Sequence, residues 1–313
     1  MNITCGVPQG SSLGPFLFLL YINDLHQCSR LLKLLLFADD TTLIYSSSDL
    51  NKLICTVNAE LLQLATWFNL NKLSLNASKS NYMIFGNRKK CPSHADLLIG
   101  NSRITQVRFT KFLGVIVDDK LTWTNHITAV NKKLSSAAFV IRNIRYKINQ
   151  DTSLKLYDTL VLPYLSYCNI IWGSTCKTHT VNTVRIQKRI LRLCCGNKIV
   201  AKEDVFYKTN KLPLSSINTT QILLLVFKFF YSPTLLPKFI MSLFRAERNI
   251  HRFNTRSAMR MGLYNEYARL NIRKTCLRIM GPLLWNNLPL GLREISTIGM
   301  FKKKLKSYLW TIP

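Results

Sequence analysis

Two aspartates stand side by side, Asp39-Asp40, between the apolar runs Leu34-Leu35-Leu36-Phe37 and Leu43-Ile44-Tyr45. Short apolar runs on either side of a few polar residues read as two buried strands joined by a tight turn. The flanking runs fix where the chain reverses, and the reversal presents two adjacent carboxylates in a chain with only 15 acidic residues. Clustered carboxylate oxygens suit a hard divalent cation, and metals held against phosphate support phosphoryl transfer. Aspartate is also a common residue of solvated turns. On these residues alone, both readings stand.

The balance of charge narrows the setting. Against those 15 acids stand 43 Lys and Arg, a formal net charge of +28 in 313 residues. An excess of this size implies a polyanionic partner, nucleic acid first and an anionic membrane second. It is unevenly spread. Residues 1–120 hold 12 basic and 8 acidic side chains, residues 121–240 hold 17 and 4, and residues 241–313 hold 14 and 3. The acidic pair therefore lies in a nearly balanced module, followed by strongly basic ones. With 48% hydrophobic residues the chain can bury a core. Its length allows two or three small domains or one elongated unit.

Nine cysteines without regular spacing argue against a disulfide framework and for a reducing compartment. Cys168, Cys176, His179, Cys194 and Cys195 match no usual zinc spacing and read as buried thiols. The apolar run Leu13–Ile22 has no preceding basic region and contains Pro15, so it is no secretory signal. The run Ile222–Tyr231 is broken by Lys228 and falls short of the roughly 20 residues that cross a bilayer. Both read as buried helices. The expectation is an intracellular protein, nuclear or cytoplasmic, with no membrane-spanning segment.

In chain order, Cys5-Gly6-Val7-Pro8-Gln9-Gly10-Ser11 forms a Gly/Pro-punctuated loop before a helix with Leu13, Phe16, Leu17, Leu20 and Tyr21 at helical spacing. Small residues there let the backbone approach a nucleotide or phosphate. After the acidic hairpin, Leu50, Leu53, Ile54, Val57, Leu61, Leu64, Ala65 and Phe68 share one helical face, with Asp49 placed to cap it. A turn carrying Lys79 then leads into a strand over Asn81–Phe85. Leu97–Ile99 and Arg103–Val107 pair through Gly100-Asn101, and Lys111–Val117 is read as one further strand.

Four strings, Gly6-Val7-Pro8-Gln9-Gly10-Ser11, Phe37-Ala38-Asp39-Asp40, Leu75-Asn76 with Lys79, and Phe112-Leu113-Gly114, occur in this order. Together they resemble the palm of a reverse transcriptase of the non-LTR, LINE-type retrotransposons (Jockey/CR1-like). Behind them, Leu162-Pro163-Tyr164-Leu165-Ser166-Tyr167, Ile171-Trp172-Gly173, Gln187-Lys188-Arg189, Asn254-Thr255-Arg256 and Leu284-Trp285-Asn286-Asn287-Leu288-Pro289 resemble the segment that follows the polymerase in these elements.

The resemblance implies RNA-directed DNA polymerisation by two-metal nucleotidyl transfer, using Mg2+ or Mn2+. An RNA template, a DNA primer and dNTPs are its partners, and no specific protein partner is implied. Asp39 would be a metal ligand, with Asp40 beside it. Gln9, Gly10 and Ser11 would lie against the templating base and incoming nucleotide, and Lys79 near the triphosphate. Phe112, Leu113 and Gly114 would support the primer end. Phe37 and Ala38 fit where a bulky residue discriminates the sugar, a role that mostly belongs to a residue further upstream. The family also uses an aspartate on a strand before the Gly-Val-Pro-Gln-Gly loop, and fingers that close on the nucleotide. Only five residues, none acidic, precede Gly6. The expectation is therefore an N-terminally truncated polymerase that does not polymerise alone. The alternative is a non-catalytic nucleic-acid-binding remnant of a retroelement.

The expected fold is α+β. A partial palm over 1–120, an antiparallel sheet with packed helices, precedes a thumb-like helical domain over 121–197 and a basic all-helical region over 198–313. In the thumb, Ile127, Val130, Leu134, Ala137, Ala138, Ile141 and Ile144 face inward on a helix from Thr124 to Lys147. Lys132, Lys133, Arg142 and Arg145 from this helix, and Arg185, Lys188, Arg189 and Arg192 from another, are expected to hold the nucleic-acid backbone. Further on come Arg245, Arg248, Arg252, Arg256 and Arg260, roughly every fourth residue, and an amphipathic end with Phe301, Leu305 and Leu309 on one side.

Overall fold

The structure, a computed structural model, describes residues 7, 8, 10–86, 96–100, 102–196, 204–247 and 261–311. It combines helices with small sheets in two compact units. Met1–Thr110 with Asp118–Lys120 form one; Lys111–Val117 with Leu121–Pro313 form the other.

In the first unit, α1 (Leu13–Ile22) precedes the antiparallel strands β1 (Lys33–Phe37) and β2 (Asp40–Ile44), then α2 (Leu50–Leu70). Asp49 caps α2, its carboxylate accepting the Asn51 N–H at 3.0 Å. The α2 face carrying Leu61, Leu64 and Phe68 packs with Ile22, Leu25, Leu32, Leu97 and Ile104 into one cluster. Glu60 lies on the same face, buried, and accepts a hydrogen bond from the Ser29 hydroxyl. That hydroxyl also accepts the Leu32 N–H at 2.9 Å, tying α2 to the entrance of β1.

Several expectations need correction here. α1 forms, but only its Ile22 is buried, and Leu13, Phe16, Leu17, Leu20 and Tyr21 are exposed. The helix is apolar on every side, so spacing could not choose its inward face. The two runs of the acidic hairpin are only half buried: Leu34 and Leu43 pack on the cluster, while Leu35, Leu36, Phe37 and Ile44 are exposed. A two-stranded sheet offers a helix one face. The expected antiparallel sheet is a set of two-stranded pieces among the described residues. The strand read over Asn81–Phe85 shrinks to β3 (Asn81–Tyr82). β4 (Leu98–Ile99) pairs antiparallel with β5 (Ser102–Arg103), and β6 (Thr105–Gln106) pairs in parallel with β3. The single strand read over Lys111–Val117 is a hairpin of β7 (Phe109–Phe112) and β8 (Val115–Asp118). Its tip reverses through Leu113 and Gly114, at φ +44° and +86°.

The second unit is helical. α3 (Thr124–Ile144), α4 (Gln150–Leu160), α5 (Leu162–Ser166), α6 (Asn169–Trp172), α7 (Lys177–Cys195) and α8 (Val205–Thr209) surround a first cluster. α3 buries Ile127, Val130, Leu134, Ala137, Ala138 and Ile141 as the spacing predicts, with Ile144 half-buried. This cluster continues past 197 to Val205, Phe206, Leu214 and Ile217. α9 (Leu214–Tyr231) then feeds a second cluster with Leu223, Val226 and Phe227. Its length and hydropathy would suffice for a bilayer, yet its apolar residues are spent on the two clusters. α10 (Lys238–Met241), α11 (Asn271–Lys274), α12 (Leu277–Asn286), α13 (Leu290–Arg293) and α14 (Ile298–Thr311) complete the unit. Trp285, Phe301 and Leu305 are fully buried in the second cluster. Of the thiols, Cys194 and Cys195 are buried, and burial pushes the Cys194 pKa up to about 12. Cys176, expected to be buried, is exposed.

Polar side chains satisfy the backbone inside this unit. Gln187 is buried; its amide nitrogen, Nε2, donates to Tyr157 Oη at 2.8 Å and to the Leu212 carbonyl at 3.0 Å, while Oε1 accepts the Leu214 N–H at 3.2 Å. Trp172 is wholly buried and donates from Nε1 to the Tyr167 carbonyl at 2.9 Å.

His126 gives this unit a pH dependence. It is buried edge-on against Trp172, with ring centroids 5.3 Å apart, and its Nδ1 faces the Ile116 N–H at 3.3 Å. Accepting at Nδ1 places the proton of the neutral ring on Nε2. Burial lowers its pKa from the ordinary 6.5. The unfolded chain therefore takes up this proton at higher pH than the folded one, so stability is full above about pH 6.5 and falls as pH drops below it. Thermal melts from about pH 8 to pH 5.5 should show this decline, and His126→Asn should flatten it. An equal decline in the variant would assign the effect elsewhere.

Candidate active site

The register of β1 and β2 sets Phe37 opposite Asp40 and leaves Ala38-Asp39 as a two-residue turn. Ala38 takes a left-handed φ of +50°, a conformation that costs a residue with a Cβ about 1–2 kcal/mol and that tight hairpins need. Asp39 thus sits at the tip and Asp40 opens β2, both exposed, beside a Phe37 that is 62% exposed. Among the described residues no group of three or more His, Cys, Asp or Glu comes together, so the pair stands without a third protein carboxylate. Magnesium is commonly held by one or two carboxylates plus substrate phosphates and water. Asp39 and Asp40 fit that partial donor set, for magnesium or manganese shared with a substrate rather than caged by protein.

The other expected residues of this unit have separate supports. Gly10 has φ +88° with open space where a Cβ would stand. Ser11 N–H donates to the Pro8 carbonyl at 3.2 Å, and its hydroxyl accepts the Gly14 N–H at 3.0 Å, opening α1. Gln9 lies outside the described residues. Lys79 is exposed on a turn organised by Asn76, whose carbonyl and Oδ1 receive the Lys79 N–H at 3.1 and 3.2 Å. Asn76 also accepts the Ser78 hydroxyl at 2.6 Å. Asn76 is a positioning residue that sequence reading quoted without a role, although an asparagine starting a short polar turn is its signal. Among the described residues, no hydrogen bond or ion pair joins Asp39, Asp40, Ser11 and Lys79 directly.

Phe112, Leu113 and Gly114 belong to the second unit. Their hairpin tip is held by Tyr167, whose hydroxyl donates to the Leu113 carbonyl at 2.6 Å. A Cβ on Gly114 would meet the Tyr167 ring at 3.3 Å, and its φ disfavours any side chain. Tyr167 is the second residue whose role was missed; nothing in sequence spacing links it to a tip 54 positions away.

Lys132, Lys133 and Arg142 on α3, and Arg185, Lys188, Arg189 and Arg192 on α7, are exposed; Arg145 is half-buried. Thr128, Asn131, Lys132, Ser135, Ser136, Asn182 and Ile186 line an open groove between α3 and α7. Arg185 and Arg189 lie three residues beyond Asn182 and Ile186, on the same side of α7. Along α3 the exposed positions continue through Phe139 and Arg142 to Tyr146, which is 82% exposed and has the Arg145 guanidinium 4.4 Å above its ring. The Lys188 ammonium lies 5.6 Å from the Phe206 ring. Along α3, hydroxyls, the Lys132 and Arg142 cations and the exposed Phe139 ring recur at helical spacing, a composition that suits a nucleic-acid backbone, whereas the Phe206 ring beside Lys188 is buried.

Residues 1–117 match the reverse transcriptase (RNA-dependent DNA polymerase) family. The probable RNA-directed DNA polymerase from transposon X-element of Drosophila melanogaster is 28% identical over 218 residues, covering 67% of this chain and 24% of that protein. The RNA-directed DNA polymerase from mobile element jockey of Drosophila funebris is 31% identical over 209 residues, covering 62% and 22%. The probable RNA-directed DNA polymerase from transposon BS of Drosophila melanogaster is 28% identical over 200 residues, covering 60% and 22%. The chain spans about a quarter of the length of these relatives. No solved structure matches it significantly. The family match runs through the Asp39-Asp40 hairpin, and the likeness to mobile-element polymerases extends beyond it, so residues 1–117 are similar to the reverse transcriptases and the chain to the RNA-directed DNA polymerases of mobile elements.

Proposed function

We propose that this chain forms the palm and thumb portions of an RNA-directed DNA polymerase, which joins dNTPs to a DNA primer on an RNA template. The observation that carries this reading is the Ala38-Asp39 turn, which exposes two adjacent carboxylates within the segment matching the family. Asp39, at the tip, is the principal metal ligand, and Asp40 adds negative charge beside it. When bound, magnesium would neutralise phosphate charge and favour attack by the primer hydroxyl. Lys79 offers a cation to the triphosphate, and the open backbone at Gly10 lets a nucleotide approach. The Phe112–Gly114 tip, braced by Tyr167, supports the primer end. The α3–α7 groove holds the template–primer backbone.

The absence of a third clustered acid among the described residues supports a second reading, a binding remnant that keeps the groove without catalysis. Both readings require the groove. An RNA template annealed to a DNA primer should bind with a log-affinity against log-salt slope of about −4 or steeper, as expected for four or more phosphate contacts. Lys132→Ala and Arg185→Ala should each weaken binding and make the slope shallower by about 1. A slope near zero would refute the groove. Extension of the bound primer then separates the two readings.

A further inference from the structure

The C-terminal part of the second unit carries a cation cluster that the polymerase reading leaves unused. Segments 245–247 and 262–264 run antiparallel: Tyr264 N–H donates to the Arg245 carbonyl at 2.9 Å and Glu247 N–H to the Gly262 carbonyl at 3.0 Å. Asn286 locks this ladder from α12. Its Nδ2 donates to the Leu263 carbonyl at 2.6 Å and its Oδ1 accepts the Leu263 N–H at 2.9 Å. Arg245 and Tyr264 are therefore neighbours on a rigid support. Glu266 follows, taking Arg273 at 3.0 Å and Arg278 Nε at 3.1 Å. Leu243, Arg245, Tyr264, Glu266 and Arg278 line one small open cleft.

Two guanidinium groups, those of Arg273 and Arg278, thus meet one carboxylate, and a third, Arg245, lines the same cleft as Arg278. Arg273 reaches Glu266 through one terminal nitrogen and Arg278 through Nε alone, so each keeps further donors for an anion. Glu266 Oε2 is buried and receives no well-aligned hydrogen bond, so the carboxylate holds the arginines in place more than it satisfies them. Beside them stand two tyrosines, Tyr264 at 44% exposure and Tyr267 at 85%, on a stretch without regular structure. Guanidinium forks match phosphate oxygens. Exposed flat rings match bases whose faces are uncovered, which a single strand offers and a duplex hides.

We propose that Arg245, Tyr264, Tyr267, Arg273 and Arg278 form a second nucleic-acid site, specific for single strands and separate from the α3–α7 groove. It goes beyond the polymerase reading and does not depend on it. A single strand lays its phosphates along the arginines and stacks a base on each tyrosine. The cluster forms no long amphipathic helix, the form in which a membrane-surface site is usually built.

The test uses the whole chain and fluorescently labelled oligo(U), oligo(dT) and the annealed template–primer, each measured by anisotropy. Tyr267 has no partner among the described residues, so Tyr267→Ala leaves the fold intact. It should weaken both single strands roughly tenfold and leave the template–primer affinity unchanged. Arg245→Gln should weaken the single strands and make their salt slope shallower by about 1. Tighter oligo(U) would assign RNA and tighter oligo(dT) would assign DNA, and either supports the site. Single-strand binding unchanged in both variants would overturn it, as would an equal loss for single strand and duplex. Tighter binding to phosphatidylserine vesicles than to either oligonucleotide would also overturn it. Failure of the polymerase reading would show separately, as absent template–primer binding in the unaltered chain.

Discussion

Gly173→Ala is expected to destabilise the helical unit by about 3–5 kcal/mol, a cost in the range of severe core overpacking. A Cβ at Gly173 would lie 2.6 Å from the Asn169 carbonyl oxygen and 2.6 Å from Asn218 Nδ2, and closer still to Asn169 Oδ1. None of these atoms can move cheaply. The Asn169 carbonyl accepts the Gly173 N–H at 2.6 Å and Asn218 Nδ2 at 2.9 Å. Asn218 Oδ1 in turn accepts the Ser174 hydroxyl at 3.0 Å, and Asn169 Nδ2 donates to the Leu165 carbonyl at 2.9 Å. Making room breaks part of a buried network, and each orphaned group costs about 1–3 kcal/mol. Removing the Asn169 side chain as well should not rescue the variant, because the backbone carbonyl still blocks the site. Gly291, in α13, has open space where its Cβ would go, so Gly291→Ala should be neutral or slightly stabilising. Thermal unfolding of both variants checks the pair; a Gly173→Ala midpoint within about a degree of the unaltered chain would contradict the argument.

The same segment shows where sequence reading ends. Ile171-Trp172-Gly173 could be singled out as a string, but Gly173 is required by Asn218, a residue 45 positions away that α9 brings against α6. Gln187, too, sits in a string that sequence reading singled out, while its partners at Tyr157, Leu212 and Leu214 are set by tertiary placement. By contrast, the inward faces of α2 and α3 are legible, because polar and apolar residues alternate there at helical spacing. The acidic hairpin is legible because apolar runs bracket it. At Phe112-Leu113-Gly114 the apolar run continues through the tip, and a leucine takes a left-handed φ in the turn, where the Tyr167 hydroxyl holds its carbonyl. Gly114 was the single turn signal there, and a strand bulge accounts for one glycine equally well.

Asp39→Ala is expected to have the largest effect on chemistry. With two exposed carboxylates and no third acid clustered with them among the described residues, the isolated 313-residue chain should hold magnesium weakly. Supplied with magnesium, four dNTPs and an RNA template annealed to a DNA primer, it should add no nucleotide. Joined to the segments of the jockey polymerase of Drosophila funebris that lie outside the matched stretch, it should extend the primer. In that fusion, Asp39→Ala should lower the rate by roughly 10³-fold or more, because charge stabilisation and positioning of the reacting groups are lost together. Asp40→Ala should lower it less, since Asp39 occupies the tip and Asp40 is already committed to the first position of β2. Lys79→Ala should act mainly on the dNTP concentration needed for half-maximal extension if its cation meets the triphosphate as proposed. Extension by the isolated chain that Asp39→Ala abolishes would show that the pair suffices without further acids. A fusion that extends equally well with Asp39→Ala would remove the hairpin from the active site and leave the groove as the functional surface.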